Sequence, residues 1–168
     1  IVNVIAPANS STIITWVMPY NTTLNATQSD SSVGVQACWF YNGTINTTYT
    51  CNSATSTNYT AGGWHSVTFF ANDTVGNTNA GNLTNFFLNY VIDGTPAYTT
   101  PLAADALINP INITINATSI TSLIGNLTYN SVVYPATVTN TSTTGILAVA
   151  NVPHGTATSA VFNFTYVI

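Results

Sequence analysis

A chain of 168 residues with no lysine, no arginine and no glutamate, whose only acids are Asp30, Asp73, Asp93 and Asp105, must fold and stay dispersed without the charged surface of ordinary soluble domains. The same absence excludes whole classes of function. Nucleic-acid binding needs Lys or Arg to neutralise phosphates, and attachment to anionic membranes needs the same side chains. Disorder is excluded from the other side, because a hydrophobic content of 46%, with three Trp, nine Tyr and seven Phe, supplies the apolar area that disordered chains lack. The most apolar stretches, Phe86 to Ile92 and Val161 to Ile168, are broken by Asn or Thr and fall short of the roughly 18 apolar residues of a spanning helix. No membrane insertion is expected within the chain. With no initiator Met and no basic-led leader, any signal or anchor is expected outside it.

Thr, Val and Ile number 31, 15 and 14, and β-branched side chains favour pleated surfaces over helices. The reading is therefore all-β, with short strands separated by Asn, Gly, Ser and Pro clusters as in sandwiches. Strands are expected at Ile1 to Ile5, Thr12 to Met18, Val33 to Tyr41, Thr47 to Cys51, Trp64 to Ala71 and Leu83 to Ile92. Asp93-Gly94-Thr95-Pro96 then reads as a linker, since the residue before a proline is pushed to extended geometry. Beyond it, Ile111 to Ala117, Leu123 to Tyr129, Val132 to Val138, Gly145 to Val152 and Ala160 to Ile168 follow. This gives two consecutive sandwich domains, 1–94 and 95–168. The second, with five strands, is thin, and a strand from a neighbouring chain could complete it.

Acceptor triplets Asn-X-Ser/Thr stand at Asn9, Asn21, Asn25, Asn42, Asn46, Asn58, Asn72, Asn82, Asn112, Asn116, Asn126, Asn140 and Asn163. Chance placement of 22 Asn and 44 Ser plus Thr in 168 residues would give about six. N-linked glycans are thus expected, and they explain how a nearly uncharged chain avoids aggregation. Asn21, Asn25, Asn42 and Asn140 read as lying in polar connections. Period-two alternation is expected to turn some of the other acceptors inward, where no sugar fits.

Cys38 and Cys51, the only cysteines, flank Trp39-Phe40-Tyr41 and Asn42-Gly43. An oxidised pair suits a secreted chain. A tight turn at Asn42-Gly43 would set Cys38 opposite Thr47, whereas a wider loop that pairs Tyr41 with Thr48 sets the cysteines directly opposite. The wider loop is the expected one. Further on, Asp73 can accept backbone N–H bonds in a turn in which Gly76 takes positive φ, with Asn77 next in the chain.

Three segments together resemble the immunoglobulin-like domains strung along large archaeal and bacterial surface proteins. They are Ala6-Pro7-Ala8-Asn9-Ser10-Ser11, the Ala37-Cys38-Trp39-Phe40 strand with its partner Cys51, and Ala71-Asn72-Asp73-Thr74-Val75-Gly76-Asn77-Thr78-Asn79. The resemblance covers residues 1 to about 95. It implies a Greek-key sandwich serving as spacer or adhesive module, usually in tandem and without catalytic residues. The cysteines depart from the antibody arrangement, which joins opposite sheets; here they can staple only neighbouring strands.

Chemistry has little to work with. His65 begins a strand and His154 lies in the turn Val152-Pro153-His154-Gly155, both expected at exposed or edge positions. There is no Gly-X-Ser-X-Gly for a nucleophile elbow, and no paired carboxylates for glycoside hydrolysis. Asp73, Asp93 and Asp105 are too scattered to supply a calcium site. No catalytic residue, metal or cofactor is expected. The leading reading is a structural glycoprotein of an extracellular filament, surface layer or viral fibre, with copies of itself or tandem sandwich modules as partners. The other is an adhesion or carbohydrate-binding module using exposed aromatics such as Tyr20, Trp64 or Tyr98. The terminal segments Ile1 to Ile5 and Val161 to Ile168 are strand formers that could pair with another chain, and Phe162, Phe164, Tyr166 and Ile168 share one face.

Overall fold

Alternation of inward and outward side chains governs the elements of this protein. A computed structural model describes residues 1–98, 110–149, 152 and 162–168. Among them lie sixteen strands and no helix. The chain divides into two units, Ile1–Tyr90 and Val91–Ile168.

The first unit contains β1 (Val2–Ala6), β2 (Ser11–Thr15), β3 (Tyr20–Gln28), β4 (Val35–Tyr41), β5 (Asn46–Tyr49), β6 (Thr55–Tyr59), β7 (Gly63–Asp73), β8 (Thr78–Ala80) and most of β9 (Thr84–Asp93). One sheet has the order β1-β3-β6; the other runs β5-β4-β7-β9, with β2 parallel to β9 and β8 on the far half of β7. Crossings between sheets at β3 to β4, β5 to β6 and β6 to β7 make this the Greek-key pattern of immunoglobulin-like sandwiches. Val2, Leu24 and Ala26 from one sheet meet Cys38, Phe40, Val67, Phe69 and Ala71 from the other. Phe40 and Phe69 are fully buried, each contributing about 1.5–3 kcal/mol by removal from water.

The second unit holds Val91–Asp93 of β9, then β10 (Ala97–Tyr98), β11 (Ile111–Ala117), β12 (Ile124–Tyr129), β13 (Val132–Pro135), β14 (Thr137–Asn140), β15 (Thr144–Val149) and β16 (Phe162–Val167). One sheet runs β14-β15-β11, with β10 and the end of β9 also on β11; the other is β13-β12-β16. Between them pack Ile113, Ile115 and Leu147 with Phe164, Tyr166 and Ile168, and Ile111 and Val149 with Leu127 and Tyr129. The shared face expected of the last strand is therefore the packed one. The side chain of Phe162 lies outside the described set, as do Ala160, Val161, Asp105 and His154.

Several expectations need correction. β3 and β6 occupy segments where no strand is expected, so Asn21 and Asn25 lie within a strand and Asn140 ends one, rather than in polar connections. β8 and β10 are further strands beyond those expected. Val132 to Val138 is two strands, because the chain changes sheets after Pro135, whose ring removes a ladder donor: β13 pairs with β12 and β14 with β15. The second unit therefore has more strands than the five expected. The presumed linker is tied down. Asp93 ends a strand, the Gly94 N–H donates to Thr114 O at 2.7 Å, and a Cβ at Gly94 would sit 2.6 Å from that oxygen. At the start of the chain, the Ile1 to Ile5 segment forms β1 within its own unit, Val2 opposite Gln28 and Val4 opposite Ala26.

Candidate functional site: outward asparagines and an aromatic sheet face

All thirteen acceptor asparagines avoid the core. Asn9, Asn21, Asn46, Asn58, Asn82, Asn116, Asn126, Asn140 and Asn163 are exposed, and Asn25, Asn42, Asn72 and Asn112 are half-buried. The expectation that some point inward is wrong, and strand phase is the reason. On β11, Asn112 and Asn116 alternate with buried Ile111, Ile113 and Ile115; on β12, Asn126 precedes buried Leu127; on β3, exposed Asn21 is followed by buried Thr22 and Leu24.

Register sets some acceptors beside one another. Asn21 lies directly opposite Asn58 across β3 and β6. On β12 and β16, Asn126 faces Thr165 and Asn163 faces Thr128, so each acceptor stands opposite the threonine of the other's triplet. Asn116 faces Thr144, whose hydroxyl donates to Asn116 Oδ1 at 3.1 Å. Asn9 Oδ1 accepts from the Asn85 N–H at 2.9 Å. Asn72 is more constrained, since its Oδ1 is buried without a hydrogen-bond partner and its Nδ2 donates to Gln36 Oε1 at 3.5 Å.

The disulfide hairpin has a register between the two considered. Tyr41 pairs with Asn46, so Cys38 faces Tyr49 rather than Cys51. Asn42 sets this. Its Oδ1 accepts from the Thr44 and Ile45 N–H groups at 3.1 and 3.0 Å, and its own N–H donates to Ile45 O at 3.3 Å. The Tyr41 hydroxyl donates to Gly43 O at 2.8 Å. Cys51, two residues past Tyr49, joins the buried Cys38 with the Cα atoms 5.3 Å apart.

Asp73 caps the β7–β8 turn. Its Oδ1 accepts from Val75 N at 3.0 Å and Asn77 N at 2.8 Å, and its Oδ2 from Asn77 Nδ2 at 2.7 Å, while Gly76 sits at φ 90°. The Asn77 side chain, with the backbone donors, holds the Asp73 carboxyl below the usual carboxylate range. Asp30, which the sequence did not single out as a turn former, does the same between β3 and β4. It accepts from Val33 N at 3.0 Å, Ser32 N at 2.7 Å and Ser32 Oγ at 3.0 Å, and these bonds lower its pKa to about 2. Asp93 accepts from the Tyr166 hydroxyl. Among the described residues no three His, Cys, Asp or Glu side chains gather as a metal would require.

His65 pairs with β9 on one side of β7 only, but it is not exposed. It is half-buried between Tyr59 and Phe86, with ring centroids 4.3 and 5.8 Å away, and its Nε2 lies 2.9 Å from Ala61 O. Tyr20, expected as an exposed aromatic, packs on the Tyr59–Phe86–Leu88 cluster. Burial pushes the Tyr59 hydroxyl up to about 12. The sequence did not single out the outer face of the β5-β4-β7-β9-β2 sheet. Trp39 and Tyr41 on β4 share it with Trp64, Thr68 and Phe70 on β7, and Phe87 on β9. Trp39 stacks on Phe70 at 5.5 Å and 4°; Trp64, 66% exposed, meets Phe87 edge to face at 5.4 Å. Cross-strand adjacency was the missing signal, because Phe70 is 31 positions from Trp39 in the chain.

No protein-family model matches the chain, and no curated protein does. Among solved structures, fibronectin(III)-like modules of Clostridium thermocellum CbhA are similar at a TM-score of 0.45 and 18% identity, over 52% of this chain and 94% of theirs. Another, described as the structural basis for the promiscuous specificity of carbohydrate-binding modules from the β-sandwich superfamily, is similar at a TM-score of 0.39 and 11% identity, over 98% of this chain and 95% of the other.

Proposed function

We propose that this chain is a non-catalytic structural glycoprotein, a module of an extracellular filament, surface layer or viral fibre. The observation that carries this is the exclusion of all thirteen acceptor asparagines from the core in a chain with no Lys, Arg or Glu to keep it dispersed. Glycans supply the hydrophilic shell that charge supplies elsewhere. The disulfide fits an oxidising, extracellular setting. Self-assembly runs along open sheet edges. β16 is the last strand of its sheet among the described residues, and the backbone groups of an edge strand invite a strand from a neighbour.

Mass spectrometry and electron microscopy of the protein from its native source test this. Mass well above the bare 17.7 kDa and ordered filaments or lattices are expected; bare mass and discrete single particles would overturn the reading. A second reading, surface adhesion or sugar binding, is favoured by exposed Trp64 packed on Phe87, because aromatic platforms with one wet face suit recognition. Binding of the intact glycoprotein to an oligosaccharide panel, lost on Trp64→Ala, would favour it over the first.

A further inference from the structure

We propose that the N-glycan on Asn46 folds back across β4 and packs on Trp39 and Tyr41, so that the protein's own sugar covers the outer aromatic face of this sheet. The proposal rests on the glycoprotein reading at this one acceptor.

Register carries the argument. Asn46 lies directly opposite Tyr41, and Thr48, which completes its triplet, lies directly opposite Trp39. Directly paired side chains sit about 4.5–5.5 Å apart at Cβ and diagonal ones about 7–8 Å, so a sugar on Asn46 Nδ2 starts within reach of both rings, on the same side of the sheet. Phe70 on β7 stacks parallel to Trp39, which turns the other face of the indole away from β7, toward the side on which β5 lies. Tyr41 is held by its hydroxyl bond to Gly43 O, so little freedom is lost when a ligand settles on it. The C–H face of a pyranose carries partial positive charge and complements the negative face of an aromatic ring. Asn72, the other acceptor on this face, is a poor anchor, because its Oδ1 is buried and its Nδ2 donates to Gln36.

The test uses the full chain secreted from a host that attaches N-glycans, with occupancy of each acceptor read by peptide mass. Two-dimensional NMR should give cross-peaks between ring protons of the first Asn46 sugar and the Trp39 indole, with those sugar protons shifted upfield. Trp39→Thr should abolish the shift while Asn46 stays occupied, and Trp39→Phe should keep much of it. In Asn46→Gln the Trp39 indole should become more accessible to a neutral quencher. An occupied Asn46 without cross-peaks overturns the proposal, as do cross-peaks from a sugar on another acceptor or from an added oligosaccharide. An unoccupied Asn46 with other acceptors filled overturns it and leaves the glycoprotein reading standing. Bare polypeptide at every acceptor overturns both.

Discussion

The outer face of the β5-β4-β7-β9-β2 sheet treats its apolar side chains in two ways. On the β4–β5 side, Trp39, Tyr41 and Phe70 share the surface with acceptors Asn46 and Asn72. On the β9–β2 side, Trp64 pairs with Phe87 and Ile14 of β2 is exposed, and neither β2 nor β9 contains an acceptor triplet. The two regions share the strand β7, but Val67, Phe69 and Ala71 beneath the first belong to one core cluster and Phe86 and Leu88 beneath the second to another. What differs is that Tyr41 pairs directly with the acceptor Asn46, whereas Trp64 and Phe87 pair with each other. With the proposed glycan on Asn46, one half of the sheet face would be shielded and the other available without any change in backbone geometry.

The largest expected effect comes from breaking the β4–β5 side. Replacing Cys38 and Cys51 with Ala removes the constraint on a loop with a separation of 13 residues, for which chain entropy gives about 3 kcal/mol. Thermal unfolding should reveal the loss, and hydrogen exchange should rise in β4 and β5 before β9 and β2. Equal loosening on both sides would show that the halves are not independently anchored.

A smaller effect is expected from pH. The carboxyls of Asp30 and Asp73 are held below their ordinary value, so their contribution is present above the unfolded-state value of about 4 and is lost as pH falls through the folded values. Tyr59 is raised to about 12, and its contribution is complete below the unfolded-state value of about 10 and lost as pH rises toward the folded one. The melting temperature should be flat between these limits and decline outside them. Because Asp30 and Asp73 serve turns of the β4–β5 side and Tyr59 sits beneath the β9–β2 side, acid should loosen β4 and β7–β8 first and alkali the Tyr59–Phe86 cluster. A fall of tens of degrees between neutral and mildly acidic pH would contradict this.

The smallest effect should follow Trp64→Thr. Substitution of an exposed side chain usually stays within about 0.5 kcal/mol, so the melting temperature should hold. Self-association measured by sedimentation should fall if the bare side is sticky, and unchanged association would remove that side from any interface.

Much of the architecture was legible because the relevant strands alternate plainly. Ser66-Val67-Thr68-Phe69 falls within β7, and the Asp73-to-Asn77 turn is written in residues whose local hydrogen bonding forms it. β3 was not legible, although its burial alternates as cleanly as any, because two of its inward residues, Thr22 and Gln28, are polar. Gln28 is accommodated by partners 21 and 24 positions away. Its Nε2 donates to the Tyr49 hydroxyl, and its Oε1 accepts from Asn52 N at 2.8 Å. The hairpin register was hidden for a similar reason, since the Asn42 side chain, not the Asn-Gly dipeptide alone, closes the loop. The aromatic face depends on pairings between distant strands that no local window displays.

The directly opposed Asn21 and Asn58 have a consequence in time rather than in space. Once β3 and β6 have paired, a glycan on one asparagine stands about 5 Å from the other and obstructs the transferase. On the unfolded chain the two acceptors are independent. Under the proposed glycosylation, joint occupancy of this pair in single molecules is a record of whether modification outran folding. Intact-glycoprotein mass with peptide mapping can read it: molecules filled at both positions mean transfer came first, and mutual exclusion means the sheet closed first.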